Sequence, residues 1–152
     1  MTGRPLVIGY GNVLRTDDGV GWHVAERLAG DPRLSGSTVL ARHQLTPELA
    51  LDISQASFVV LVDAGQGQPA GTFDVVPIKR TGGGAGSSHH LDPATLLDLA
   101  AELFGPPPRV VAVRVGVESL AVGDRLSPVV EAALPGLVEA VAGLIAGELV
   151  HA

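Results

Sequence analysis

Apolar positions along the chain follow two alternating patterns. Five short runs rich in Val, Ile and Leu have the length of buried strands. These runs are residues 6–8, 38–41, 58–62, 71–77 and 109–115. Helices are predicted at residues 23–28, from residue 46, at residues 92–104, and from residue 127 onward. The alternation predicts an α/β fold, a three-layer domain in which a mostly parallel, twisted sheet of about five strands has helices on both faces.

Turn and capping residues mark where these elements begin and end. Three helix starts pair a capping side chain with a proline in the first turn: Thr46-Pro47, Asp92-Pro93 and Ser127-Pro128. Pro77 closes the fourth strand and predicts an edge position, because proline has no N–H for a central ladder. Pro135 predicts a kink in the last helix.

Composition narrows the class of protein. Because the chain has 152 residues, it is expected to form a single domain, residues 1–152. Hydrophobic residues make up 46% of the chain and aromatic residues only 3%, which indicates an aliphatic core. A formal net charge of −6 without a basic run argues against nucleic acid or an anionic membrane as partner. No positively charged segment followed by an apolar one opens the sequence, and no apolar run approaches the roughly 18 residues of a membrane helix, so we expect a soluble, cytoplasmic protein. Because cysteine is absent, any metal must be held by oxygen and imidazole ligands.

The glycine-rich loop after the first strand holds the first candidate chemistry. Gly9-Tyr10-Gly11 is half of a dinucleotide-binding fingerprint, but Leu14 stands where the third glycine would fall. Asp17 and Asp18 follow, and a carboxylate pair repels a phosphate at the start of a helix. The loop therefore favours a cation or a proton, and a nucleotide-binding domain is the less favoured alternative.

Polar residues also follow two other predicted strands. Asp63 ends the central strand, and His89 and His90 come after the edge strand and a run of glycines. If these strand ends cluster at one edge of the sheet, carboxylates and an imidazole converge on one crevice. Such a set suits Ni²⁺, Zn²⁺, Mn²⁺ or Fe²⁺, and it equally suits an acid/base pair without a metal of its own.

Each candidate also has a simpler structural interpretation. Asp17 and Asp18 fit the first turn of a helix, and we interpret Asp17 as the structural residue and Asp18 as the functional one. Asp63 also fits a turn after its strand. The remaining histidines are not expected to act directly: His23, His43 and His151. Ser87 and Ser88 lie near a histidine, but the Gly-x-Ser-x-Gly elbow of many serine hydrolases is absent.

Taken together, the motifs resemble a known family. The opening loop reads Gly9-x-Gly11-Asn12-x-Leu14-x-x-Asp17-Asp18-Gly19-x-Gly21, and further matches are Val62-Asp63-Ala64, Ser87-x-His89-x-Leu91 and Leu126-Ser127-Pro128. Spread over nearly the whole chain, these residues resemble the maturation endopeptidases of nickel–iron hydrogenases. The resemblance implies a twisted sheet flanked by helices, and a hydrolase that removes the C-terminal extension of a nickel-loaded hydrogenase large-subunit precursor.

The resemblance also implies a site. The family's metal-contacting residues fall on Asp18, Asp63 and His89, with His90 as the alternative to His89. Nickel would be supplied by the precursor, and no organic cofactor is implied. Residues 42–46, Arg-His-Gln-Leu-Thr, depart from an Asp-Gly-Gly-Thr-like segment that family members often carry for handling the substrate. The alternative function is a non-catalytic, metal-dependent binding or chaperone-like module for a nickel enzyme precursor.

Overall fold

A computed structural model describes residues 3–81 and 91–151 of the chain. Its regular elements are β1 (Pro5–Tyr10), α1 (Val20–Ala29), β2 (Thr38–Arg42), α2 (Leu49–Gln55), β3 (Phe58–Gly65), β4 (Phe73–Pro77), α3 (Pro93–Phe104), β5 (Arg109–Gly116) and α4 (Pro128–His151). Two short 3-10 turns, Thr16–Gly19 and Pro32–Leu34, flank α1. All five predicted strands are therefore present.

The five strands form one sheet in the order β2-β1-β3-β5-β4. The first four are parallel, and β4 lies at the edge, antiparallel to β5. The predicted fold class is confirmed, and so is the edge position of the strand that Pro77 closes. The antiparallel direction corrects the prediction that the carboxyl ends of three strands cluster. The carboxyl end of β4 lies at the opposite end of the strands from the carboxyl ends of β1 and β3. Its direction thus gives no reason to place His89 and His90 beside Asp63.

Apolar residues cover both faces of the sheet. One face packs against α1 and α4, where Val24, Leu137 and Val141 are fully buried. The other face packs against α2 and α3, where Leu49 and Leu96 are buried. Helices therefore enclose the sheet in three layers, and the carboxyl ends of its parallel strands lie where open α/β sheets bind ligands.

Two glycines allow α1 to lie directly against the sheet. A Cβ on Gly9 would lie 2.0 Å from the carbonyl oxygen of Gly21, and one on Gly21 would lie 2.1 Å from that of Val62. These distances are far below van der Waals contact, so neither position accepts a side chain without a shift of the backbone. The close helix–strand approach is thus made at Gly9 and Gly21, while Leu14 is exposed to solvent.

Of the three predicted helix starts, one is confirmed and two differ from the prediction. Asp92 caps α3 as expected, accepting the Thr95 N–H at 2.8 Å. The second helix begins at Leu49 rather than at Thr46, and no side chain caps it. Ser127 does not cap α4 with its hydroxyl, which instead binds the Asp17 carboxylate. Pro135 lies inside α4, which is assigned as one continuous helix.

The last helix corrects the expectation that no apolar stretch approaches the length of a membrane helix. Residues Pro128–Glu148 of α4 have a mean hydropathy of 1.8 and are long and apolar enough to cross a membrane by length and composition alone. The core helix of a globular domain passes the same criterion. One side of α4 packs into the buried cluster through Val130, Leu134 and Ile145, and 33% of the apolar span is buried.

Candidate active site

The loops after β1 and β3 bring two carboxylates to one crevice. The two strands are neighbours in the sheet, with Gly9 beside Val62. Asp63 belongs to the carboxyl end of β3, and Asp18 lies in the 3-10 turn that joins β1 to α1. The connection after β1 leads to α1 on one face of the sheet, whereas α3, which precedes β5, lies on the other face. Open α/β sheets bind ligands where successive connections diverge in this way.

A cavity of about 350 Å³ lies at this point. Its lining residues are Tyr10, Gly11, Asp18, His43, Gln44, Leu45, Asp63, Ala64 and Leu91. The two predicted aspartates are its only carboxylates among the described residues. A larger cleft of about 600 Å³ between α1, α4 and the loop before α4 mixes Glu26, Asp124 and Glu131 with Arg27 and Arg125. Those opposed charges offer no defined chemistry, so the smaller cavity is the candidate site.

Burial and charge set the protonation behaviour of Asp63. Burial raises the pKa of its carboxyl group, and the negative charge of Asp18 adds to this effect. Two groups oppose the rise in pKa: the Tyr10 hydroxyl, which donates a hydrogen bond to Asp63 Oδ2, and the cation of Arg114 on the neighbouring strand. The pKa of Tyr10 is itself raised by burial and then by the Asp63 charge, so the phenol stays a donor. The net result is a carboxyl group with an elevated pKa in a cavity, as in many acid/base sites.

Asp18 is held by the backbone of its own loop. Its Oδ2 accepts the Asn12 N–H at 2.8 Å, and the Asn12 side chain accepts the Leu14 N–H at 2.9 Å. Gly11 allows this loop to close on itself. Its φ is +149°, and a Cβ there would lie 1.8 Å from the Asp18 carbonyl oxygen. The half-buried Asp18 carboxylate therefore has a fixed place at the cavity wall.

Asp17 has a different environment. It is completely buried, and its carboxylate accepts N–H groups from Glu118, Ser119 and Ser127 at 2.8–3.1 Å together with the Ser127 hydroxyl. Burial raises the pKa of this group, but the donors outweigh that effect and the pKa is lowered overall. These contacts agree with a structural role, although the role is to fix the loop before α4 and not to cap α1, which begins after Gly19. The side chain of Glu118 itself is exposed to solvent.

The predicted third ligand lies outside the part of the chain that the structure describes. His89 and His90 fall between residues 81 and 91, so their positions remain predictions. Leu91, the next residue, lines the cavity. Within residues 3–81 and 91–151, no group of three or more His, Asp or Glu side chains is placed to hold a metal ion. The described carboxylate pair thus needs a further ligand, from the chain or from a substrate, to complete a metal site.

Two cavity residues were not predicted from the sequence. His43, which we did not expect to act directly, lies on the cavity wall and stacks on Trp22 with ring centroids 4.7 Å apart. Tyr10 was quoted only as part of a glycine motif, yet it contacts Asp63. Both residues lie at the carboxyl ends of neighbouring strands. Tyr10 is the last residue of β1, and His43 follows Arg42, which ends β2 and pairs with Tyr10. This position is the feature of the sequence that could have identified them.

Comparison with known proteins identifies the fold. No protein-family model matches the chain, and no curated protein matches it. Solved structures do match. The NiFe hydrogenase maturation protease HycI from Thermococcus kodakarensis KOD1 is 26% identical with a TM-score of 0.76, and the match covers 95% of this chain and 92% of that one. The chain has the fold of the hydrogenase maturation proteases.

Two further structures agree with this assignment. The hydrogenase maturating endopeptidase HybD from E. coli is 26% identical, with a TM-score of 0.75 and coverage of 91% of this chain and 89% of that one. The hydrogenase 2 maturation peptidase from a Thaumarchaeota archaeon is 25% identical, with a TM-score of 0.72 and coverage of 93% and 97%. The resemblance predicted from the sequence is confirmed, and with it the enzyme class, a hydrolase.

Proposed function

We propose that this protein is an endopeptidase that removes the C-terminal extension of a hydrogenase large-subunit precursor after nickel has been inserted. The observation that carries the proposal is the Asp18–Asp63 pair lining one cavity within the fold of the hydrogenase maturation proteases. Nickel is part of the substrate in this scheme. The predictions from the sequence that remain with the proposal are a cytoplasmic location, the absence of an organic cofactor, and a precursor protein rather than a membrane or nucleic acid as partner.

We assign the nickel contacts to Asp18, Asp63 and His89. Two carboxylates and an imidazole are suitable donors for Ni²⁺, and they leave positions for ligands from the precursor. A precursor without nickel would not complete this coordination, so the metal acts as a check that the substrate is ready. Held by these residues, nickel would supply a Lewis acid that polarises a nearby carbonyl group.

The peptide bond is broken by water. We assign the general base to the Asp18–Asp63 pair, because both carboxylates line the cavity and a carboxylate oxygen that nickel does not occupy can take a proton from water. The hydroxide adds to the scissile carbonyl carbon, the C–N bond breaks, and the proton held by the carboxylate passes to the leaving amine. Asp18 keeps its place through the Asn12 N–H during these steps.

Incubation with a nickel-loaded precursor tests the function. Intact-mass measurement should show the precursor losing a C-terminal peptide, and the same precursor without nickel should keep its mass. His89→Ala should abolish the mass loss if His89 is a ligand, and His90→Ala should not. A stable complex without any cleavage would instead support the non-catalytic binding module.

A further inference from the structure

Tyr10 lines the cavity, and the proposed site does not use its hydroxyl group. It ends β1, and its ring packs against the buried cluster under α2 and α3, as do Leu40 and Leu91. Its hydroxyl leaves that apolar cluster and donates to Asp63 Oδ2. The ring is thus part of the core, while the one polar atom of the side chain belongs to the cavity.

Both aspartates of the cavity are held by one oxygen each. Asp18 Oδ2 accepts the Asn12 N–H, and Asp63 Oδ2 accepts the Tyr10 hydroxyl. Among the described residues, no donor binds the Oδ1 atom of either side chain. One oxygen of each carboxylate is therefore fixed, and the other is left for a ligand in the cavity.

From this arrangement we infer that Tyr10 is a positioning residue, which holds the Asp63 carboxylate by Oδ2 so that Oδ1 meets the nickel of the bound precursor. The inference rests on the proposed function. Hydrogen bonds to ligating carboxylates restrict their rotation, and the loss of such a partner typically lowers metal affinity or activity about 10- to 100-fold. Asp18 needs no such side chain because a backbone N–H already holds it.

Replacement of the hydroxyl alone isolates this role. Tyr10→Phe keeps the ring in the core and removes only the donor, so the melting temperature should stay close to that of the wild type. The value of kcat/KM for a nickel-loaded precursor should fall about 10- to 100-fold. Incorporation of 4-aminophenylalanine at position 10, which restores a donor on the same ring, should recover most of the loss.

A matched control removes a hydroxyl elsewhere. The Ser54 hydroxyl donates to the Leu51 carbonyl oxygen at 2.7 Å in α2 and is not part of the cavity. Ser54→Ala should cleave the precursor at the wild-type rate. If Tyr10→Phe also cleaves at that rate, or if the amino analogue fails to rescue it, the positioning role is wrong.

The contact can be read without any activity. Tyr10 is the only tyrosine in the chain, so the tyrosine Fermi doublet in ultraviolet resonance Raman spectra reports this single phenol. In the wild type, the intensity ratio of the two bands should be that of a phenol that is a strong hydrogen-bond donor. In Asp63→Ala, the ratio should change toward that of a phenol hydrogen-bonded to water. An identical doublet in the two proteins would overturn the contact. If the wild type cleaves no loaded precursor, the proposed function fails, while the Raman comparison still decides whether Tyr10 holds Asp63.

Discussion

Asp17 and Asp18 are neighbours in the chain but do different work. Both lie in the 3-10 turn Thr16–Gly19, where successive side chains project about 120° apart. Asp17 therefore faces the interior and binds the loop before α4, whereas Asp18 faces the cavity. The buried Asp17 carboxylate accepts several hydrogen bonds, because a buried charge is stable only with several donors around it. The half-buried Asp18 carboxylate accepts one hydrogen bond, from the Asn12 N–H.

Asp17→Asn should destabilise the fold. The amide group cannot accept all the N–H groups that the carboxylate accepts, and hydrogen bonds to a charged group contribute about 1.5–3 kcal/mol. We expect the free energy of unfolding to fall by about 2 kcal/mol near pH 7, measured by denaturant titration. Asp124→Asn, an exposed carboxylate in the loop before α4, should change it by less than about 0.5 kcal/mol.

The stability difference should also depend on pH. The pKa of Asp17 is lowered in the folded state below its usual 3.8, so its contribution is present above that value and is lost as the pH falls below it. The difference in the free energy of unfolding between the wild type and Asp17→Asn should therefore become smaller as the pH is lowered from about 5 toward 2. A gap that widens in acid would contradict the assignment.

The stack of His43 on Trp22 gives the cavity wall an optical label. Trp22 is the only tryptophan, and its indole face is covered by the imidazole ring. His43→Ala should expose the indole to water, shift its emission to longer wavelength, and cost about 0.5–1.5 kcal/mol of stability. His23→Ala, next to Trp22 in α1, is the matched control and should leave the emission in place. Unchanged emission in His43→Ala would mean that the stack does not persist in solution.

At the scale of elements, the site depends on how closely α1 approaches the sheet. Gly9 and Gly21 let the start of the helix lie against β1 and β3, and the loop that carries Asp18 spans the short distance between them. A larger residue at either glycine would push the helix outward. The position of Asp18 opposite Asp63 is therefore a consequence of packing between two elements.

Gly21→Ala should be strongly destabilising. Its Cβ would lie 2.1 Å from the Val62 carbonyl oxygen, a backbone atom of a central strand that cannot move aside. We expect a loss of about 3 kcal/mol in thermal or denaturant unfolding. In contrast, Gly143 lies in α4 with open space around its Cα, and Gly143→Ala should raise stability by about 0.5–1 kcal/mol. Equal effects of the two substitutions would show that α1 does not pack as described.

The sequence was sufficient for some parts of this arrangement and not for others. Asp18 and Asp63 follow β-branched runs, and neighbouring parallel strands end at the same edge, so their convergence could be predicted. The direction of β4 could not be predicted, because a strand of five residues at the edge of a sheet can pair in either direction. The places of Tyr10 and His43 depend on side-chain packing across strands, which periodicity does not contain.

At the scale of the whole molecule, the topology concentrates the chemistry at one edge of the sheet. The order β2-β1-β3-β5-β4 puts β1 and β3 at the centre, and both faces are covered by helices. The cavity at their carboxyl ends is lined by the Asp18–Asp63 pair. In the function proposed above, this pair acts on the precursor.

Cleavage by variants of the pair is the most direct measurement. Asp18→Asn and Asp63→Asn should each lower the rate of cleavage of a nickel-loaded precursor about 100-fold or more, while circular dichroism and melting show a folded protein. Glu102→Gln, which changes an exposed carboxyl group on α3, should cleave at the wild-type rate. Cleavage at the wild-type rate by either aspartate variant would show that the pair does not act on the precursor.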